Sequence, residues 1–352
     1  MYFMLRAIAV SMFTLFRRRT PDPFTLPGLE RFLLRLFAPA YHRWTGRRLN
    51  PWQADWVFQG LITRQLQRRF FLRDRIFRRP YKRIECLTEF GPELKYYLPH
   101  AYWHHLNGTL ASTCSFRGTS AFYFFSPRHE EQDRPRAYIL DPAIPNSEDH
   151  NFSYDFRRWA QVPLKQTYRG RIDFGFSRPL VVISNKYNQE WGARPANFLD
   201  LPTLSALVEL LQQRYVVVYN RPCTRLITSD HNTIQDLAEK EPLKARFPSL
   251  LLAEDLYETH RAVVASFNEF QLCLYAQCER FISVQGGNSV LASYFGGTNL
   301  VFQCRGQELI FDEFSTIYPR LSGARCRAFR DYDALLRAVE ATYLGEPVVI
   351  RS

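Results

Sequence analysis

Short apolar runs, PLVVIS (179–184), YVVVY (215–219), LLLA (250–253) and FISV (281–284), punctuate the second half of this chain. Two more, LVFQ (300–303) and CRAF (326–329), follow, and helical spacing fills the gaps. Asp200 to Gln213 opens with a cap-like Asp and an early Pro. Residues 231–241 read as a polar helix. In 266–279, Phe267, Phe270, Leu274 and Cys278 recur at spacings of 3, 4 and 4, and 331–343 closes the chain with another helix. Continuous rather than alternating apolarity marks strands buried on both faces, so the pattern predicts a parallel sheet with helices on either side.

Upstream the pattern is mixed. A strand is expected near Arg83–Leu87, then an aromatic helix, LKYYLPHAYWHHL, ending at Gly108. Apolar runs at Leu110–Phe116, Ala121–Phe125 and Ala137–Leu140 are separated by turn-rich segments such as SPRHEEQDRPR. This is the signature of a smaller α/β unit. Residues 29–77 show helical periodicity interrupted before Asn50-Pro51, a cap followed by Pro at the first helical position. The expected layout is a basic helical region over 1–79, a small α/β domain over 80–175 and a larger parallel-sheet domain over 176–345.

With 352 residues, 46% hydrophobic, the chain can bury substantial cores. Its formal charge of +12 is concentrated in Arg pairs between Arg17 and Arg83. Arginines interleaved with Trp, Phe and Leu suit either a solvated helix face or an anionic membrane surface. No nucleic-acid module is recognisable, so nucleic acid is not an expected partner. The apolar stretch at residues 1–16 is shorter than the ~20 residues of a spanning helix, and reads as an interfacial or packed helix. Seven scattered cysteines without a CxxC pair argue against a zinc site and for reduced thiols, hence a cytoplasmic protein peripheral to the membrane.

Candidate chemistry gathers in the loops that follow the strands, where ligands of open parallel sheets sit. The sharpest is Gln285-Gly286-Gly287-Asn288-Ser289, a strand-to-helix turn. Its glycines admit a ligand to the backbone, and its helix start offers unpaired N–H groups. Asn185 and Lys186 follow the strand at 184, Arg221 follows the next, and Asp255 the third. Lys186 and Arg221 suit a diphosphate, and Asp255 suits a ribose or base. A glycine turn so late in the chain is not the G-x-G-x-x-G fingerprint, and no Walker sequence occurs, which disfavours NAD and ATP hydrolysis.

A nucleotide-binding parallel sheet preceded by a smaller α/β unit resembles the GT-B glycosyltransferases, over roughly residues 80–345. The resemblance implies two Rossmann-like domains, here with a basic helical N-terminal extension. It implies a nucleotide-sugar donor held mainly by the second domain, with QGGNSVLASYFGG facing the diphosphate. It also implies a glycan or glycolipid acceptor, and transfer without a bound metal or other cofactor. If the configuration inverts, a base from the smaller domain must take the acceptor proton, and Glu93, His129 and Glu130 are the candidates. Two other readings remain: a nucleotide-sugar epimerase, and a non-catalytic membrane-associated scaffold that keeps the fold.

Overall fold

The computed structural model describes residues 28–345 except 140, 149, 191–193, 223, 224, 229 and 231. The stretch at residues 1–16 and the Arg17–Arg19 triplet therefore lie outside the described residues.

Two sheets, both entirely parallel, organise the chain. The smaller contains β1 (Lys82–Glu85), β2 (Leu110–Phe116) and β3 (His129–Gln132), in that spatial order. The larger has six strands: β4 (Leu180–Ser184), β5 (Val216–Asn220), β6 (Leu251–Leu252), β7 (Arg280–Val284), β8 (Thr298–Phe302) and β9 (Arg325–Phe329). Their order is β6-β5-β4-β7-β8-β9, so the winding reverses between β4 and β7. This is the doubly wound arrangement that the apolar runs predicted, and every residue of β4 and β8 is buried.

Local sequence explains most of the elements. Asp200 caps the helix Leu201–Leu211 by accepting from the Thr203 amide, and Ser266 caps Phe267–Tyr275 through the Glu269 amide. Asn50 and Gln53 form a reciprocal capping box at the start of Pro51–Leu66. The two N-terminal helices, Gly28–Thr45 and Pro51–Leu66, share a small cluster of Phe58, Ile62 and Leu66 against Leu34 and Phe37.

Three expectations differ from the structure. The helix expected over 231–241 is absent from the described residues 232–239, and a helix begins only at Lys240. The preceding segment instead pairs with the loop after β4, through Gln189 N to Thr233 O (2.9 Å) and Gln235 N to Tyr187 O (2.8 Å). Ala121–Phe125 forms successive turns that plug the core with Phe122 and Tyr123 rather than a strand. His129–Gln132, read as part of a turn-rich segment, is the edge strand β3. Its pattern is polar because only one side is covered, and the register with β2 fixes it as a strand.

One apolar cluster runs through both sheet units, from Ile84 and Leu94 to Phe281, Tyr294 and Leu321. Tyr294 donates to the Leu94 carbonyl at 2.6 Å, so the turn after β1 is bonded into the helical layer of the larger unit. The carboxyl ends of β1, β4 and β7 consequently open on a shared cleft.

Candidate donor and acceptor cleft

The cleft measures about 1060 Å³ and sits at the point where the strand order of the large sheet reverses. Its floor is the glycine turn. Gly286 has φ +118°, a conformation that side chains resist, and the helix Gly287–Ala292 starts immediately after it. Ser289 and Val290 amides bond back to the Gly286 carbonyl at 3.1 and 3.2 Å. The Gly287 and Asn288 amides, in the first turn, have no intrahelical acceptor. Phe90 presses on this turn from the small unit: a Cβ on Gly287 would lie 2.5 Å from Phe90 Cδ1. The second glycine thus serves packing between the units as well as backbone access.

Lys186 reaches the turn from the loop after β4. Its Nζ pairs with Glu190 and lies 3.2 Å from Gln285 Oε1. Gln285 is held in turn by Asn197 Nδ2 (3.3 Å) and donates to Glu308. Burial raises the Glu308 carboxyl above the usual range, and its other oxygen accepts from Gln303 at 2.6 Å. A chain of partners therefore fixes the ammonium beside the glycine backbone, and Lys186 Nζ would be 3.3 Å from a Cβ on Gly286. Asn288 lines the cleft and donates to the Asn185 carbonyl at 3.3 Å.

The other predicted residues divide. Arg221 borders the cleft, but its guanidinium is gripped by Glu239 (2.6 and 3.0 Å) and Asp236 (3.1 Å). Burial opposes its charge, yet these carboxylates outweigh it and hold the pKa above the ordinary value. Asn185 is buried and braces the loop, donating to Leu199 O and Tyr219 Oη and accepting from the Leu199 amide. Ser289 does not line the cleft: its hydroxyl donates to Gly286 O at 2.8 Å and touches Tyr318 Oη at 3.1 Å, so it stabilises the turn. Asp255 is displaced altogether. It lies in the first turn of the helix Ala253–His260, exposed and paired with Lys244 at 2.8 Å, on a separate charged cavity.

None of the three proposed bases faces the cleft. Glu93 is 1% exposed, receives Tyr123 Oη (2.9 Å) and Ser115 Oγ, and pairs with Arg136 at 2.6 Å. It is the buried counter-ion of Arg136. His129 lies on β3 between Thr113 Oγ1 (2.8 Å) and Thr119 Oγ1 (3.1 Å), stacked on Tyr123, with burial lowering its pKa. Glu130 is exposed and paired with Arg128. Being adjacent in sequence does not bring residues to the strand end where the ligand space opens.

Sequence reasoning missed residues that do line the small-unit wall of the cleft: Glu89, Arg136, Tyr138 and His150. Glu89 ends the connection after β1 and precedes the helical turn Phe90–Pro92. The Phe90 amide donates to Asp230 of the large unit at 3.1 Å, fixing this turn across the cleft. His150 Nδ1 lies 2.7 Å from Glu313, whose second oxygen pairs with Lys95 at 2.9 Å. Glu89 had a signal, its place in the short connection that follows a strand; His150, in a loop far along the chain, had none. Among the described residues no group of three or more His, Cys, Asp or Glu side chains is arranged to hold a metal ion.

No protein-family model matches this sequence, and no curated protein matches it either. Among solved structures, the chain is similar to E. coli ADP-heptose LPS heptosyltransferase II, at 10% identity and a TM-score of 0.45, over 74% of this chain and 99% of that one. It is also similar to a glycosyl transferase family 9 structure from Veillonella parvula, at 8% identity and a TM-score of 0.39, over 78% and 91% of the two chains. A third likeness, at 11% identity and a TM-score of 0.30, is to sucrose-phosphate synthase from Thermosynechococcus elongatus, over 93% and 73%.

Proposed function

We propose that this chain is a glycosyltransferase that moves a sugar from a nucleotide-sugar to a glycan or glycolipid acceptor met at a membrane surface. One observation carries the reading: at the strand-order reversal, a positive-φ glycine turn, two helix-start amides and the clamped Lys186 converge on one side of a cleft. Against that glycine turn packs the Glu89–Pro92 turn of a second parallel-sheet unit, which lines the same cleft. A diphosphate would lie against Gly286–Asn288 and Lys186, where fixed dipoles and a cation stabilise the charge that grows as it departs. That arrangement supplies the leaving-group stabilisation without calling on a metal.

For transfer with inversion, the acceptor hydroxyl attacks the anomeric carbon as the carbon–oxygen bond to the diphosphate breaks. The hydroxyl proton passes to Glu89, a carboxylate that lines the cleft on the small-unit side. A thermal-shift panel of UDP, GDP, CMP and ADP compounds tests the donor half. Stabilisation by one nucleotide class, weakened in Lys186→Ala, is expected. No stabilisation by any of them refutes it. Glu89→Gln should keep that nucleotide response and lose about 100- to 10,000-fold in transfer rate.

A further inference from the structure

The segment that leads from Pro51–Leu66 into β1 is inside out. Its buried side chains are the polar Gln67 and Asp74. Its exposed ones are Phe71 (55%), Leu72 (55%), Ile76 (58%) and Phe77 (63%). The polar residues are the attachment. Gln67 Nε2 donates to the Ala143 carbonyl at 2.9 Å, and Asp74 accepts from Tyr81 Oη and Arg158. Folding of a water-facing helix does the reverse, so four large apolar side chains turned outward are not explained by the core.

Charge around the patch is one-sided. Arg68, Arg69, Arg73, Arg75, Arg78 and Arg79 are all exposed within the same stretch, and its one acid, Asp74, is buried and neutralised by Arg158. Aromatic and aliphatic side chains ringed by arginines are complementary to a bilayer interface: the apolar groups enter the acyl boundary while guanidinium groups meet lipid phosphates. The earlier helices spend Phe58, Ile62, Leu66 and Phe37 on their own packing but leave Phe32, Leu36, Trp44 and Trp52 exposed, so they can extend the same apolar surface. No described helix is long and apolar enough to cross a membrane.

We infer that Gln67–Arg79 is a docking surface for an anionic lipid bilayer, which holds the enzyme at the membrane through Phe71, Leu72, Ile76 and Phe77. The placement rests on the proposal that the acceptor is met at a membrane, but its test does not depend on sugar transfer.

The full chain is floated with phosphatidylcholine vesicles, with and without phosphatidylglycerol. Binding to the anionic vesicles is expected. Replacing Arg68, Arg69 and Arg73 with Gln should lower partitioning by roughly 100-fold, since each arginine near the surface contributes about 1 kcal/mol. Replacing Phe71, Leu72, Ile76 and Phe77 with Ser should lower it at least about tenfold and leave the residue insensitive to lipid packing. Both variants should keep the wild-type urea midpoint without added nucleotide, which establishes that they fold and keeps this test separate from that of the donor site. Wild-type protein that ignores anionic vesicles overturns the inference. So does binding that both variants retain, or a patch whose replacement only converts a dimer to a monomer in light scattering.

Discussion

Gly287→Ala isolates packing from chain conformation, because residue 287 is helical and alanine is otherwise acceptable there. The added Cβ would stand 2.5, 3.2 and 3.3 Å from Cδ1, Cγ and Cβ of Phe90. The shortest is nearly an ångström inside the 3.4–4 Å of ordinary contact, and it involves a ring held at its base. Overpacking of this kind costs about 1–3 kcal/mol. Phe90→Ala alone should cost about 2 kcal/mol, less than for a fully buried ring. The two losses share one contact, so the double variant should be more stable than their sum predicts by at least about 1 kcal/mol. Urea unfolding of the four proteins measures this coupling. Nucleotide thermal shifts read the function in parallel: the single Gly287→Ala variant should respond weakly, and the double variant should recover. Additive stability losses would refute the account of Gly287 as the contact point between the units. Recovered stability with nucleotide response still lost would place the Cβ in the ligand's own space.

Arg221→Ala should unfold more easily by about 3–5 kcal/mol in urea, because it strands the buried Glu239 carboxylate; a pure loss of nucleotide affinity at unchanged stability would contradict this. Lys186→Ala should weaken diphosphate binding about 10- to 100-fold by calorimetry, the worth of a charge-assisted hydrogen bond. Glu93→Gln should lower the unfolding midpoint by leaving Arg136 without its counter-ion, and a stable variant with slow turnover would restore a catalytic role to that carboxylate. Burial depresses the pKa values of His100 and His104, so the unfolded chain takes up protons that the folded one refuses. Their contribution is therefore intact above the ordinary histidine pKa of about 6.5 and is lost as pH falls below it, by about 1.4 kcal/mol per pH unit for each. Urea midpoints that stay level between neutral and mildly acidic pH would show that these histidines titrate alike in both states.

Much of the larger sheet was legible because its strands carry their burial in their own composition. Leu180–Ile183 and Val216–Tyr219 are apolar at successive positions, which only a sheet covered on both faces requires. Their loops could then be placed on one edge, and Lys186, Gln285 and Gly286 do meet there. The edge strand β3 was not legible. His129–Gln132 is polar, and only pairing with β2 makes it a strand.

By itself, then, the sequence determined the apolar strands, the caps at Asn50, Asp200 and Ser266, and the glycine turn after β7, since each depends on residues a few positions apart. Only the tertiary structure decided which charges are committed. Glu93, Arg221 and Ser289 are the right chemical types beside the right elements, yet their partners Arg136, Glu239 and Tyr318 come from distant segments and consume them. Glu89 and His150 come to line the cleft through the same tertiary choice: where a carboxylate or imidazole ends up depends on which strand ends and loops the fold brings together, and no local spacing encodes that.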